Sequence, residues 1–584
     1  MKTVAPAIAR ILTLLLLPTL ASAAPSCGGE AMPIARIQGD TDRSPMTGET
    51  VTIEGILTYD TRHEDGFQGF YLQQADHETD DNPATSEALF VYTRRPQGER
   101  GQRLRLTGEV REFHGLTELV NVQSLTVCGP ANLPQPVTLV PSDPGAHEAL
   151  ENMRVRLASP FTVIDSYNLA RYGELTLASG DRVIATEYLS PGPMAGKLDS
   201  AGKGQITLDD GHGNRNPRPV PWPPDGLGID NTVRTGDTLQ GIRGVLDFRF
   251  GHWRIQPESP PEFIAANPRT PAPMRPDGST MRIMTLNLAN LFNGDGRGGE
   301  FPTPRGADTE AAYRQQQARL VSALTAPDPD ILAVSELEND GYGEHSAIAT
   351  LARALGPKWH YIRTPGRDGD DAIRTALYYR SDRVVPMGAA SRLTSGPFRT
   401  GGRPPLAQAF RLQSGPGSVR VVVPHLKSKS CRGAKGPNRD QGDGQGCYSH
   451  RRVHAAEAIA NWLKEQPLPP ATVGTLIAGD FNSYTREAPL DAFRQRGYTS
   501  MVASRHPCTP EKCEHYTYRY KGRKGSLDHA LASDRLAPRI INAVTWPINA
   551  DEPRALGYQF DIAPDTDAPW RSSDHNPVII DIRL

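Results

Sequence analysis

At 584 residues the chain is too long for one ordinary domain, and at ~100–200 residues per domain it holds three or four. Its 38% hydrophobic and 22% charged residues are those of a globular protein, and 55 Gly with 52 Pro favour a loop-rich β or α/β architecture over a helical bundle. A formal net charge of −2 excludes a global basic field, so attraction to a polyanion has to come from local patches.

The N-terminus has the outline of a secretory signal. Lys2 and Arg10 are basic, Ile11 to Leu20 is a short apolar core, and Ala21-Ser22-Ala23 is a small-residue cleavage site. Pro25 and the better site upstream argue against Cys27 as a lipid attachment point. No later apolar run reaches the ~18 residues of a membrane span. The expectation is a secreted, soluble monomer without membrane insertion. Export also decides how the six cysteines read, because all lie beyond the cleavage site and enter an oxidising compartment. Pairing within proposed domains selects Cys27–Cys128, Cys431–Cys447 and Cys508–Cys513. The alternative for the last pair is a zinc site with His506 and His515.

After the signal peptide (1–23), residues 24–130 read as a small β domain. Short alternating runs at 51–59, 69–73, 88–92, 103–110 and 118–122 are punctuated by Gly, Asp and Asn. Five such strands suit a small barrel, with the oligonucleotide/oligosaccharide-binding (OB) fold as leading form. The acidic stretch Asp76, Glu78, Asp80, Asp81 suits a solvated loop; it lacks the spacing of an EF-hand, and Ca2+ is its alternative. Residues 131–265 form a second β module with strands expected at 153–157, 173–177, 204–210 and 239–246. The echo between Gly236–Gly241 and Gly101–Gly108 suggests a duplicated, OB-like barrel. Residues 266–280 are a Pro-rich, semi-rigid linker. From 281 to 584 strand-like and helical runs alternate. Strands fall near 282–288, 331–334, 376–379, 419–423, 475–478, 527–532 and 578–582, and helices near 310–324, 346–355 and 450–463. This is enough chain for a large α/β core of two packed sheets.

The chemistry sits where these strands end, the place from which a rigid scaffold points groups into one cleft. Asn287, Glu336, His425, Asp480 and Asn482 each close a strand, and Asp528 and Asp574-His575 open one. Carboxylates from separate strands suit a hard cation such as Mg2+. A metal, an imidazole–carboxylate pair and amides suit phosphate ester hydrolysis. Any one of these residues has an ordinary structural role as its first reading; their joint occurrence in this order reverses that.

The stretches Met284-Thr-Leu-Asn287, Ser335-Glu336-Leu-Glu338-Asn339, His425-Leu-Lys-Ser-Lys429, Gly479-Asp480-Phe-Asn482-Ser483, Ser526-Leu-Asp528-His529 and Ser573-Asp574-His575-Asn576-Pro577-Val578 resemble the endonuclease/exonuclease/phosphatase superfamily of deoxyribonuclease I, in the family's order. The whole chain also resembles secreted bacterial nucleases of the ExeM/NucH type, which carry β modules before the nuclease domain. The resemblance implies a deoxyribonuclease I-like four-layer α/β sandwich over 281–584. It implies Glu336 as principal metal ligand with Asn287 and Asp574, for Mg2+ or Mn2+. Asp480 and Asn482 would orient water and the scissile phosphate, His575 would pair with Asp528, and His425 would lie near the leaving oxygen. It implies a carboxylate partner for His425 as well, with Asp370 or Asp371 in that place. Ala289 stands where some relatives carry a second acidic ligand, which leaves the number of metal ions open.

Between 427 and 452 seven Lys/Arg outweigh two Asp, a local excess of five. Lys427, Lys429, Arg432 and Lys435 there, and Arg519, Lys521 and Lys524 before Asp528, are expected to contact phosphates without reading sequence. The leading reading is a secreted, metal-dependent nuclease of extracellular DNA, with RNA as an alternative substrate. A phospholipase-type or inositol-phosphate phosphatase of the same fold is the second reading. A non-catalytic nucleic-acid or polysaccharide-binding protein is the third.

Overall fold

The computed structural model describes Met1 and residues 26–584 apart from 144, 201, 203, 367 and 564–566. The expected signal segment, Met1 aside, lies outside the described residues. Among the described residues no helix is long and apolar enough to cross a membrane.

Strands Thr50–Asp60, Gly69–Gln73, Ala88–Tyr92, Leu116–Pro130 and Gln102–Phe113 hydrogen-bond in that order and close into a barrel. Alternation sends Ile53, Leu57, Phe70, Leu72, Leu89, Val91, Leu104 and Leu106 into its interior. A disulfide between Cys27 and Cys128 ties the two ends together. Cys431–Cys447 and Cys508–Cys513 are also disulfides, so the last pair forms no zinc site.

The second module does not repeat the barrel. Its strands run Glu262–Ile264, Thr238–Gln240, Phe161–Asp165, Leu175–Ala178, Gln205–Leu208, His252–Pro257, Arg243–Arg249, Arg154–Arg156, Val137–Thr138 in one nine-stranded sheet. The expected strand 239–246 is broken at Gly241, whose φ of 72° suits glycine. The two halves then pair with different neighbours, Thr238–Gln240 with Phe161–Asp165 and Arg243–Arg249 with His252–Pro257.

The Pro-rich segment 266–280 is a strap rather than a spacer. Arg269 pairs with Glu552, Trp546 Nε1 donates to Thr270 O at 2.9 Å, and Arg275 pairs with Asp330. Arg282, fully buried, donates to the carbonyls of Pro273 and Met274 and pairs with Asp581.

Beyond the strap stand two six-stranded sheets. One runs Trp359–Tyr361, Ile373–Arg380, Ile331–Glu338, Met281–Leu291, Val578–Ile582, Ile540–Thr545; the other runs Val384–Arg392, Leu406–Leu412, Ser418–Val423, Thr472–Asp480, Asp528–Ser533, Tyr498–Ser500. Period-two alternation splits each central strand between two cores. Met281, Ile283, Ile331 and Ala333 meet Val419, Val421, Leu476, Ala478 and Ala530 between the sheets. Leu286, Leu332 and Val334 face Leu320, Leu324, Ile348 and Leu351 of helices Glu310–Thr325 and Ala347–Leu355. Val422, Ile477 and Leu531 face Ala456, Ile459, Leu463 and Phe493 of helices Ser449–Glu465 and Ala488–Arg494. The result is helix, sheet, sheet, helix in four layers, with strand ends converging at one edge of the sandwich.

Candidate active site

Breaks in the strand ladders aim the first two groups. Met281–Leu291 pairs with Ile331–Glu338 as far as Asn287↔Ser335, then shifts register before Leu291↔Leu337. Ala289 and Asn290 occupy the break at φ of 52° and 58°. Ile331–Glu338 breaks again against Ile373–Arg380 between Val334 and Leu337, with Glu336 at φ 57°. Bulges of this kind re-aim side chains, and left-handed backbone at non-glycine residues concentrates where function demands it. Asn482, at φ 48°, has the same conformation on the facing sheet. Gly479 brings the two strands there close together: a Cβ at 479 would lie 2.4 Å from Pro424 O. That approach lets Leu426 N donate to Asp480 O at 3.0 Å and lays His425 beside Asp480.

The remaining groups are fixed by backbone caps. Thr517 Oγ1 accepts from Leu527 N at 3.0 Å and Asp528 N at 3.1 Å. Asn576 Oδ1 accepts from Asn549 N and Ala550 N, both at 2.9 Å, and its Nδ2 donates to Tyr516 O at 3.2 Å. Ser573 Oγ donates to Asn287 O at 2.6 Å and accepts from His575 N at 3.2 Å, tying the Asp574-His575 turn to the first strand.

Asp528 Oδ2 lies 2.6 Å from His575 Nδ1. Asn287 Nδ2 and Asn482 Nδ2 donate to Asp480 Oδ2 at 3.2 and 3.1 Å, and Asn482 N donates to Oδ1 at 2.7 Å. His425 Nε2 stands 3.4 Å from Asp480 Oδ2 and 3.9 Å from Glu336 Oε1. All eight sequence-predicted catalytic and metal residues thus meet at one edge. The two imidazoles are pushed in opposite directions. Burial alone would push His575 down, but Asp528 and Asp574 override it and hold it well above its usual range. Burial, then the cations Arg403 and His575, push His425 well below. Burial and the nearby Asp528 carboxylate raise Asp480 to about 7.

Which of these residues suit a cation follows from the same electrostatics. Glu336 is raised by burial and then by the like charge of Asp574, with the Asn287 amide as a compensating donor. Two carboxylates and an amide oxygen are hard donors of the kind that Mg2+ or Mn2+ takes. Ligand-capable atoms of Asp480, Asp528 and His575 also lie within 4.8 Å of one another. There, however, Asp528 Oδ2 and His575 Nδ1 are already bonded to each other at 2.6 Å.

Three of the expected phosphate contacts are otherwise engaged. Arg519 is nearly buried between Asp181 and Asp551. Lys524 pairs with Asp181 and donates to Cys513 O. Lys429 pairs with the fully buried Glu487. Each charge is neutralised by a carboxylate of the protein itself. Arg432, Lys435 and Lys521 are exposed, and half-buried Lys427 stands over the Tyr448 ring. Neither expected partner of His425 touches it. Asp370 accepts from Gly401 N, whereas Asp371 pairs with Arg403 and Arg305. Arg403 itself reaches His425 Nε2 at 2.5 Å. It sits in Gly401-Gly402-Arg403-Pro404-Pro405, ahead of a strand (406–412) not foreseen from sequence, so nothing placed it at the site.

The cleft over Glu336 and Asp574 has a volume of about 730 Å³. Its far wall comes from the second β module through Asp165, Tyr167, Asn168 and Glu174. That module is welded on. Glu187 accepts from Ser526 N, two residues before Asp528, and from Thr485 Oγ1. Thr186 bonds Glu487. Arg234 pairs with Asp551 and Glu552.

Residues 118–265 match a Domain of unknown function (DUF8508). No protein among those with curated descriptions matches the chain. Similar solved structures include an endonuclease/exonuclease/phosphatase family protein from Bacteroides thetaiotaomicron (17% identity, TM-score 0.34, 51% of this chain and 96% of that one). Others are a mannosyl-6-phosphatase from Bacteroides thetaiotaomicron VPI-5482 (17%, 0.34, 52% and 100%) and D. rerio TDP2 complexed with single strand DNA product (15%, 0.33, 51% and 97%). The Endonuclease/Exonuclease/phosphatase family profile matches residues 284–575, half of the chain, and spans every group assembled above from Asn287 to His575; the chain belongs to that family.

Proposed function

We propose that this protein is a secreted, metal-dependent phosphodiesterase that hydrolyses extracellular DNA without reading its sequence, a nuclease of the ExeM/NucH type. The observation that carries this reading is the convergence of two imidazoles on Asp480, His575 locked to Asp528 at 2.6 Å and His425 Nε2 3.4 Å from Asp480 Oδ2, with neighbouring carboxylates holding the first above its usual range and burial holding the second below it. One imidazolium to hold a phosphoryl oxygen and one neutral imidazole on the other side of the attacking group suit in-line displacement at a phosphodiester.

Glu336, Asp574 and the Asn287 amide are the residues that would hold Mg2+ or Mn2+. Bound there, the cation supplies charge neutralisation and polarisation of the phosphoryl oxygen. Asp480, raised to about 7 and oriented by Asn482 and Asn287, takes the proton of the attacking water. His575 donates to a non-bridging oxygen, while Asp528 keeps it charged and in place. His425 lies where the leaving oxygen departs, with Arg403 beside it to hold the charge that develops. Exposed Arg432, Lys435 and Lys521 contact flanking phosphates. The strand order of the N-terminal barrel supports the OB reading for that module.

The test is hydrolysis by the purified protein of plasmid DNA, RNA and a lipid phosphodiester with Mg2+, Mn2+, Ca2+ or EDTA, beside His575→Ala. Metal-dependent loss of supercoiled plasmid, absent with EDTA and reduced ~100- to 10,000-fold in the variant, is expected. Intact plasmid with hydrolysed lipid would give the fold to the second, phosphatase or phospholipase, reading.

A further inference from the structure

Aromatic side chains left in water at a catalytic cleft call for an explanation. Among the described residues, Tyr167 is 64% exposed and Tyr520 is 53% exposed, and both line the cleft that Glu336 and Asp574 floor. They reach it from different parts of the chain. Tyr167 follows the strand Phe161–Asp165 of the second module, in a turn closed by its own N–H to Asp165 Oδ1 at 2.8 Å. Tyr520 lies at the tip of the hairpin formed by Tyr518–Tyr520 and Arg523–Gly525. The tip rests on the module: at Gly522, φ 75°, an added Cβ would lie 3.1 Å from Ile164 Cδ1. Arg519 and Lys524 on the same hairpin are clamped by Asp181 of that module. The two tyrosines therefore stand on one rigid rim. Arg554 lies over the Tyr167 ring at 5.0 Å and Lys521 over the Tyr520 ring at 5.5 Å. Each ring has a cation against it, and more than half of each residue's surface is open to solvent.

We infer that Tyr167, with Tyr520 opposite in sequence origin but on the same rim, forms a nucleobase subsite beside the scissile phosphate. The inference deepens the nuclease reading above and rests on it. A flat aromatic ring with an adjacent cation matches a base with its phosphate, the pairing that single-strand binding sites use. In a duplex each base face is covered by its neighbours, so the subsite takes an unpaired nucleotide. A cleft of about 730 Å³ is of the size that encloses one or two small ligand units. The second β module is thereby part of the substrate site, and its tyrosine sets a preference for single strands or frayed ends.

The experiment uses the full mature chain with Mg2+ or Mn2+ and two single-stranded oligodeoxynucleotides of equal length, one fully based and one with an abasic tract. The wild type is expected to cleave the abasic strand with a KM ~5- to 150-fold higher, the range that base–aromatic stacking supports. Tyr167→Ala should raise KM on the based strand toward the abasic value and abolish the difference between the two strands, with kcat nearly unchanged. Tyr167→Phe, which keeps the ring, should behave as wild type, and the exposed position leaves melting unchanged in both. Tyr167→Ala showing the wild-type gap between the two strands overturns the subsite and leaves the nuclease reading standing. A wild type that nicks plasmid DNA but cleaves neither oligonucleotide overturns the subsite alone, and one that cleaves none of the three overturns the nuclease reading with it.

Discussion

Arg519→Met separates a structural arginine from a phosphate contact. Arg519 Nε lies 2.6 Å from Asp551 Oδ1, and its two terminal nitrogens form a fork on Asp181 at 2.8 and 2.9 Å. Asp551 is fully buried, and the Asp181 side chain is 21% exposed. Removing one partner from a buried pair typically costs about 3–5 kcal/mol, because the other charge is stranded away from water. Here Arg234 still faces Asp551 at 3.5 Å and Lys524 still faces Asp181 at 2.9 Å, which places the expected loss near the lower bound. With a urea slope of ~1–3 kcal/mol/M, a loss of ~3 kcal/mol moves the midpoint of the transition that opens this interface down by at least ~1 M. Acid behaviour gives a second reading. Burial would raise the Asp181 carboxyl, but Arg519 and Lys524 override it and hold it below its usual range. A depressed carboxyl contributes stability above pH ~4 that is lost as pH falls toward the folded pKa, so the variant should be less acid-sensitive than wild type. The assay is urea unfolding followed by tryptophan fluorescence at pH 7 and at about pH 3, inside the window where the Asp181 contribution is lost, with DNA binding measured in parallel. An unchanged midpoint combined with a tenfold loss of DNA affinity would refute the reasoning and return Arg519 to the phosphate backbone.

Glu187, buried and raised to about 7 by desolvation, binds a proton in the folded state that it releases near 4.5 when unfolded. Stability should therefore fall by on the order of 3 kcal/mol between pH ~4.5 and ~7, and Glu187→Gln should flatten that slope; parallel pH–stability curves would sink the idea. Opening the Cys431–Cys447 disulfide by the double serine variant releases a loop with a sequence separation of 16. A loss of ~3 kcal/mol by chain entropy is expected, with a higher KM for DNA and an unaltered kcat, read from plasmid kinetics and melting. Arg403→Ala should lower kcat ~100-fold or more while leaving metal affinity, measured by titration calorimetry, as in wild type. Equal losses in both would mean that Arg403 shapes the metal site rather than the leaving-group side.

The candidate site residues were legible because they end strands whose apolar runs are unmistakable: Ile331–Val334 before Glu336, Val419–Val423 before His425, Thr475–Ala478 before Asp480. Strand-end position and residue type survive without knowledge of what pairs with what. Charge partners do not. Arg519, Lys524 and Lys429 look like a basic fringe until Asp181 and Glu487 arrive from far along the chain. Local composition cannot report whether a cation is already neutralised. Arg403 escaped for a different reason: Leu406–Leu412 carries Gln and Arg among its apolar residues, so the strand and the loop before it were not recognised. In the second module, a single apolar run concealed a turn at Gly241, and the duplicated barrel expected there became one broad sheet.

The salt-bridged seam between the second module and the catalytic sandwich has a practical meaning for anyone hoping to dissect this enzyme. Cutting the chain at the strap would take Arg234 away from Asp551 and Glu552 and the Thr186 hydroxyl away from Glu487, and would uncover Tyr484, Leu527 and Leu556. The family-matched half thus shares part of its buried surface with the neighbouring sheet. Its boundaries in evolution and its boundaries in solution need not coincide, and a shuffled or minimised version has to carry the neighbouring sheet along as part of its own interior.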